Sequence, residues 1–123
     1  MLMRILVVED EKDLNRVISK RLESEGYSVD RCFDGEEALD FIDVGEFDAI
    51  IMDIMMPVMN GYEAAKMIRS LDREDAKEIP IIAMTANAFT EDRIRAKEAG
   101  MDEHVAKPVD VELLIKVIHK LVK

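Results

Sequence analysis

The chain has no tryptophan and a single cysteine, and only 5% of its 123 residues are aromatic. A lone thiol, Cys32, excludes an internal disulfide and gives no cysteine metal site. It falls in "YSVDRCF", which reads as a strand, so packing in or against the core is its expected role. Positive charge is scarce as well: 17 Lys and Arg stand against 27 Asp and Glu, for a net charge of −10. A nucleic-acid-binding surface needs a basic stripe, and this balance argues against one. No apolar run approaches the ~20 residues of a membrane span. The apolar part of the N-terminal "MLMRILVVEDE" is too short for a secretory leader and turns acidic at once. The expectation is a cytoplasmic protein without membrane contact.

What is present is a globular balance, 49% hydrophobic and 36% charged. The length suits one domain over residues 1–123 with a real core. "ILVV" (5–8), "AIIM" (49–52) and "IIAM" (81–84) are continuous apolar runs, the signature of parallel strands covered on both faces. "SVDRC" (28–32) alternates and reads as an edge strand, and "EHVAK" (103–107) as a short fifth strand. Leu14, Val17, Ile18 and Leu22 mark one amphipathic helix. Val111, Leu114, Ile115, Ile118, Leu121 and Val122 mark the last. Asp13 and Asp110 are the expected N-caps, and Gly26 the expected stop of the first helix. Asn60-Gly61 opens a third helix expected to run to about Leu71. The mostly charged segment after Thr90, with Ile94 and small alanines as its apolar content, predicts a loosely docked helix. "LDREDAKEIP" reads as a solvated loop.

Strand and helix alternating five times predict an α/β architecture with right-handed crossovers. In such sheets ligands bind outside the carboxyl ends of the strands. Glu9, Asp10 and Glu11 follow strand one, Asp53 strand three, Thr85 strand four, and Lys107-Pro108 strand five. Carboxylates, a hydroxyl and an ammonium are thus expected on one rim. Clustered acids repel one another without a cation, and hard oxygen ligands suit Mg²⁺. A carboxylate can also act as a nucleophile and carry a phosphoryl group, whose oxygens the metal, Lys107 and the Thr85 hydroxyl would neutralise.

Taken together, "ILVVEDE", "DAIIMDIMMPVMNGYEAAKMIR", "IPIIAMTANA" and "AGMDEHVAKPVD" resemble the response-regulator receiver domain of two-component signalling over essentially the whole length. The resemblance implies a doubly wound five-stranded parallel sheet of flavodoxin-like order 2-1-3-4-5, helices on both faces. It also implies Asp53 as phosphoacceptor, with Glu9, Asp10, Asp53 and the backbone carbonyl of Met55 holding Mg²⁺. Thr85, Ala86 and Lys107 would meet the phosphoryl group, and Lys107-Pro108 would be cis, a form accessible only before proline. Met55 and Asn87 stand at positions flanking the attacking water. Met55 supplies no acid or base, though Asn87 could orient the water, so only modest self-hydrolysis is expected.

By the same resemblance the phosphoryl donor is a histidine kinase or phosphotransfer domain. The face formed by the helix after Thr90, strand five and the last helix would bind a downstream partner or attached effector. "MTANA" and "HVAKPVD" look most like receivers of hybrid sensor kinases; these 123 residues contain no kinase or effector domain, so either a stand-alone receiver or one excised from a larger protein is expected. Such a domain turns over no external metabolite. His104 stands three residues before Lys107, where the family usually has Tyr or Phe. It either points to solvent from a short edge strand, or moves inward with Thr85, a move that protonation opposes. The competing reading is an FMN carrier on the same sheet order. That would want a Gly/Ser/Thr-rich phosphate loop and aromatics around the ring, where this chain has "VEDEKD" and no tryptophan.

Overall fold

The three continuous apolar runs form the middle of one sheet. In the computed structural model, which describes residues 3–86 and 90–122, they are β1 (Arg4–Val8), β3 (Ala49–Asp53) and β4 (Ile81–Thr85). β2 (Ser28–Cys32) and β5 (Glu103–Ala106) complete the order β2-β1-β3-β4-β5. Every pairing is parallel, with Val8 opposite Cys32 and Met52, and Asp53 opposite Met84. Every residue of β3 and β4 is buried, so their unbroken apolar character is explained by cover on both faces. The alternating segment lies at the edge, as its pattern predicts.

Helices cover the sheet from two sides. α2 (Gly35–Val44), α3 (Gly61–Arg69), α4 (Glu74–Glu78) and α5 (Thr90–Glu98) join Leu6, Val8, Ile50, Met52, Ile81 and Ala83 in one core. α1 (Lys12–Ser24) and α6 (Val111–Leu121) pack on the opposite face, over Ile5, Val7, Ile51, Ile82, Met84 and Val105. Each fully buried Ile or Leu contributes roughly 1.5–3 kcal/mol. Cys32 is buried in the first core, and desolvation pushes its thiol up to about 12, so it packs as a small apolar residue. Among the described residues no helix is long and apolar enough to cross a membrane.

The helix ends show which local signals won. Asp110 caps α6 by accepting from the N–H groups of Glu112 and Leu113, at 3.1 and 3.3 Å. Asn60 and Glu63 form a reciprocal capping box at the start of α3. Gly26 takes φ +97° just after α1, a conformation other residues adopt only under strain. Asp13 is not a cap: Glu11 holds the N-cap position of α1, and Asp13 lies inside the first turn, 3.2 Å from Arg16.

The inward stripe of α1 also differs from its apolar reading. Val17 is exposed, and Asn15 and Ser19 are buried with Ile18 and Leu22. α3 ends at Arg69, where Ser70 Oγ takes up the Lys66 carbonyl at 2.8 Å, two residues short of Leu71. "LDREDAKEIP" is not simply a solvated loop. It contains α4, with Ala76 and Ile79 buried, so the described residues hold six helices rather than five. Arg73 secures this segment by bonding to Asp75 and to the carbonyls of Ile42 and Gly45. In α5, Ala96 makes the core contact, joined by Ala99 just after the helix, while Ile94 stays exposed.

Candidate functional site

The carboxyl ends of β1, β3 and β5 converge as the chain order requires. Glu9 leaves β1 with its N–H on the Cys32 carbonyl at 3.2 Å, and its side chain is wholly buried. Its Oε2 accepts the Glu11 N–H at 2.8 Å. Asp53 ends β3 with 2% exposure, and its Oδ1 accepts the Met55 N–H at 3.3 Å. Lys107 Nζ lies between the two acids, 3.0 Å from Glu9 Oε1 and 3.1 Å from Asp53 Oδ2. The Lys107 N–H donates to the Thr85 carbonyl at 2.7 Å, and the Lys107–Pro108 bond is cis.

Burial dominates the electrostatics of these groups. Desolvation pushes the Glu9 carboxyl up to about 7, against the opposing pull of the Glu11 amide and Lys107. Asp53 is raised for the same reason, and Lys107 again opposes the rise. Burial disfavours the Lys107 ammonium, yet the two carboxylates outweigh it and raise its pKa. One cation thus serves two buried acids, and the exposed Asp10 adds a third carboxylate on the solvent side.

Oxygens of Glu9, Asp10 and Asp53 all lie within 4.8 Å of one another. Glu9 Oε1 is within ion-pair distance of Lys107 but receives no well-aligned hydrogen bond. Hard oxygen donors, excess negative charge and an under-satisfied buried carboxylate together fit a divalent cation such as Mg²⁺.

Thr85 is buried at the end of β4, on the same sheet face as Ala83 and, in β5, as His104. Ala86 is exposed and lines a cleft of about 90 Å³ with Met55, Thr85, Tyr62 and Arg95. The Met55 side chain is 73% exposed. His104 is half-buried on the α5 side, in a hollow of about 180 Å³ with Arg93, Lys97, Met101 and Asp102. Asn87 lies outside the described residues. α5 is held near the cleft by the Tyr62 hydroxyl, 3.4 Å from the Asp92 carbonyl, and by Arg95 stacked 4.5 Å from the Tyr62 ring centre.

Two supports were not anticipated from the sequence. A Cβ at Gly61 would lie 2.5 Å from the Asp53 carbonyl oxygen and 2.9 Å from Ile54 Cα, so only glycine lets α3 start against the end of β3. Between them, Val58 has φ +68°, an uncommon conformation for a β-branched residue. The second support is the buried pair Asn15 and Ser19, whose polar spacing on the inward face of α1 was the available signal.

The comparisons with known proteins agree with this geometry. The family model for the response regulator receiver domain matches residues 5–119. The transcriptional regulatory protein DltR of Streptococcus agalactiae serotype III (strain NEM316) is 39% identical over 113 residues, covering 92% of this chain and 49% of the relative. Hybrid signal transduction histidine kinase I of Dictyostelium discoideum is 36% identical over 121 residues, covering 94% of this chain and 7% of the kinase. The chain therefore spans about half of the regulator and a small part of the kinase.

Among solved structures, chemotaxis response regulator CheY4 of Vibrio cholerae superposes with a TM-score of 0.92 at 31% identity, covering 98% of this chain and 99% of that one. The receiver domain of sensor histidine kinase PA1611 from Pseudomonas aeruginosa PAO1, with a magnesium ion in its active site cleft, gives 0.89 at 37% identity, covering 99% and 98%. Fold, strand order and sequence converge, and the chain belongs to the response-regulator receiver family of two-component signalling.

Proposed function

We propose that residues 1–123 form one receiver unit that switches on phosphorylation of Asp53. The observation that carries this reading is Asp53 itself. It is a buried carboxylate at the end of a central strand, 3.1 Å from Lys107 and clustered with Glu9 and Asp10. An Asp53 oxygen attacks the phosphorus of a phosphohistidine on a histidine kinase or phosphotransfer domain. The O–P bond forms as the P–N bond breaks, and the imidazole leaves as the neutral base after taking up a proton. Lys107 neutralises a phosphoryl oxygen, and the Thr85 hydroxyl with neighbouring Ala86 meets another.

Glu9, Asp10, Asp53 and the Met55 carbonyl would hold Mg²⁺, which when bound supplies charge neutralisation to the transferring group. The PA1611 receiver, with its magnesium ion, supports this assignment by similarity. The domain would catalyse only its own phosphorylation and dephosphorylation, in the cytoplasm, without contacting nucleic acid or membrane. Its output surface is α5, β5 and α6, which pass the change to a partner or an attached effector. Intact mass after incubation with acetyl phosphate and Mg²⁺ tests the reading: one phosphoryl group on wild type and none on Asp53→Asn. Equal uptake by Asp53→Asn would overturn it.

A further inference from the structure

Asn15 is a wholly buried amide on α1, one turn beyond the acidic corner, and its hydrogen-bonding capacity is fully used. Its Nδ2 donates to the Glu9 carbonyl at 3.0 Å and to the Cys32 carbonyl at 2.9 Å. Its Oδ1 accepts from Ser19 Oγ at 3.1 Å and from Arg31 Nε at 2.9 Å. The Cys32 carbonyl also receives the Glu9 N–H, at 3.2 Å. Glu9 is therefore gripped on both backbone polar groups: its N–H goes to a carbonyl that Asn15 also holds, and its C=O goes to Asn15 directly. The neighbouring Asn15 N–H closes the turn on the Glu11 carbonyl at 2.9 Å, while the Glu11 N–H reaches back to Glu9 Oε2 at 2.8 Å.

No other side chain of this size meets the same demands. The Glu9 and Cys32 carbonyls require two donors on one end, and Ser19 with the Arg31 guanidinium requires an acceptor on the other. The charged Arg31 donor fixes which end is oxygen. Aspartate would keep the acceptor and set a carboxylate against two carbonyls, and leucine would satisfy neither end. A buried group this committed to the backbone of one acid does more than fill space.

We infer that Asn15 is a positioning residue for the cation site: it fixes the β1–α1 turn so that the Glu9 carboxylate faces Asp53 and Lys107 while Asp10 stays on the solvent side. Through Arg31 the same amide ties the turn to edge strand β2. The inference rests on the phosphoacceptor reading for its consequence, and on the hydrogen bonds above for its geometry. Outer partners of this kind typically alter metal affinity by tenfold or more when removed.

The test compares wild type with Asn15→Asp, which keeps the acceptor and loses both donors, and with the milder Asn15→Ser. Hydrogen exchange in metal-free protein should rise roughly tenfold at the Glu9 and Glu11 amides, with the Ile51 and Ile82 amides unchanged. Mg²⁺, titrated calorimetrically, should bind on the order of tenfold more weakly, and the Mg²⁺ concentration that half-saturates phosphorylation should rise by a similar factor. If Asn15→Asp fails to fold, Asn15→Ser decides. Wild-type Mg²⁺ affinity in a folded variant overturns the inference, as does exchange that rises uniformly along the strands. A wild-type chain that binds no Mg²⁺ and takes no phosphate would instead overturn the phosphoacceptor reading, and the consequence drawn for Asn15 with it.

Discussion

Stability of the metal-free protein should fall as pH rises through the neutral range, because Glu9 is buried beside a second acid. Its carboxyl ordinarily titrates near 4.5, and burial pushes it up to about 7 in the folded chain. Between those values the folded state holds a proton that the unfolded state has lost. Stability is then fully present below 4.5 and is lost as pH climbs through about 7. A displacement of that size weakens folding by roughly 3 kcal/mol once Glu9 is ionised, a large share of a small domain's stability. Asp53 is raised too and acts with the same sign. Urea unfolding in chelator at pH 5.0, 6.0, 7.0 and 8.0 measures the slope directly, and Glu9→Gln should remove the Glu9 part of it. Mg²⁺ binds only ionised carboxylates, so at a hundred times its dissociation constant it should restore about 2.7 kcal/mol, chiefly at the higher pH values. A chelated wild type equally stable at pH 5.0 and 8.0, or a Glu9→Gln variant that keeps the full slope, would refute the reasoning.

Asp10→Ala removes one of three clustered carboxylates and should weaken Mg²⁺ at least tenfold, about 1.4 kcal/mol; an unchanged titration excludes Asp10 from the ion's surroundings. Gly61→Ala drives a Cβ to 2.5 Å from the Asp53 carbonyl oxygen and should cost about 1–3 kcal/mol with slower phosphorylation; a variant as stable as wild type would show that α3 can retreat freely. Met55→Glu places a carboxylate on the exposed side of the Asp53 loop and should shorten the phosphorylated half-life at least twofold, followed by intact mass. The His104 ring, which shares its hollow with Arg93, Lys97, Asp102 and Glu103, should change its surroundings when beryllofluoride stands in for a phosphoryl group on Asp53. NMR shifts of the His104 ring that are identical with and without beryllofluoride would reject that change.

The sheet was legible because its strands carry their own instructions. The four-residue apolar runs that open β3 and β4 fit strands covered on both faces, where all five positions of each strand are buried, and the acid or hydroxyl closing such a run falls at the sheet's carboxyl edge. What stayed hidden was decided across the chain. Val17 is an apolar residue on an amphipathic helix, and nothing local marks it as the one turned outward. The reason lies in β2, where the Cys32 carbonyl and Arg31 demand an amide beneath them, so Asn15 and Ser19 occupy the inward stripe. α4 was obscured by its charge: a short helix whose buried contribution is chiefly Ala76, with Ile79 just after it, has no hydrophobic period to read.

The distribution of buried polar groups connects stability with function. Among the described residues they are Glu9, Asn15, Ser19, Asp53 and Thr85, and they gather around the carboxyl edge of the sheet. Elsewhere the two cores are apolar, so the free energy of folding comes from one part of the molecule and is partly spent at another. Replacing Glu9, Asp53 and Lys107 together by apolar residues of similar shape would remove two desolvated carboxylates and the lysine they share, a change that is commonly neutral or stabilising. Packing alone gives no reason for this arrangement. The proposed function would give one: a cation needs converging oxygens, and a phosphoryl group needs a nucleophile with Lys107 already in place. The two acids are buried beside the one lysine they share, so a cation bound there would relieve their remaining repulsion. On the proposed function, ligand binding at this edge would be coupled to the stability of the fold, and through Thr85 and β5 to the surface on the α5 side.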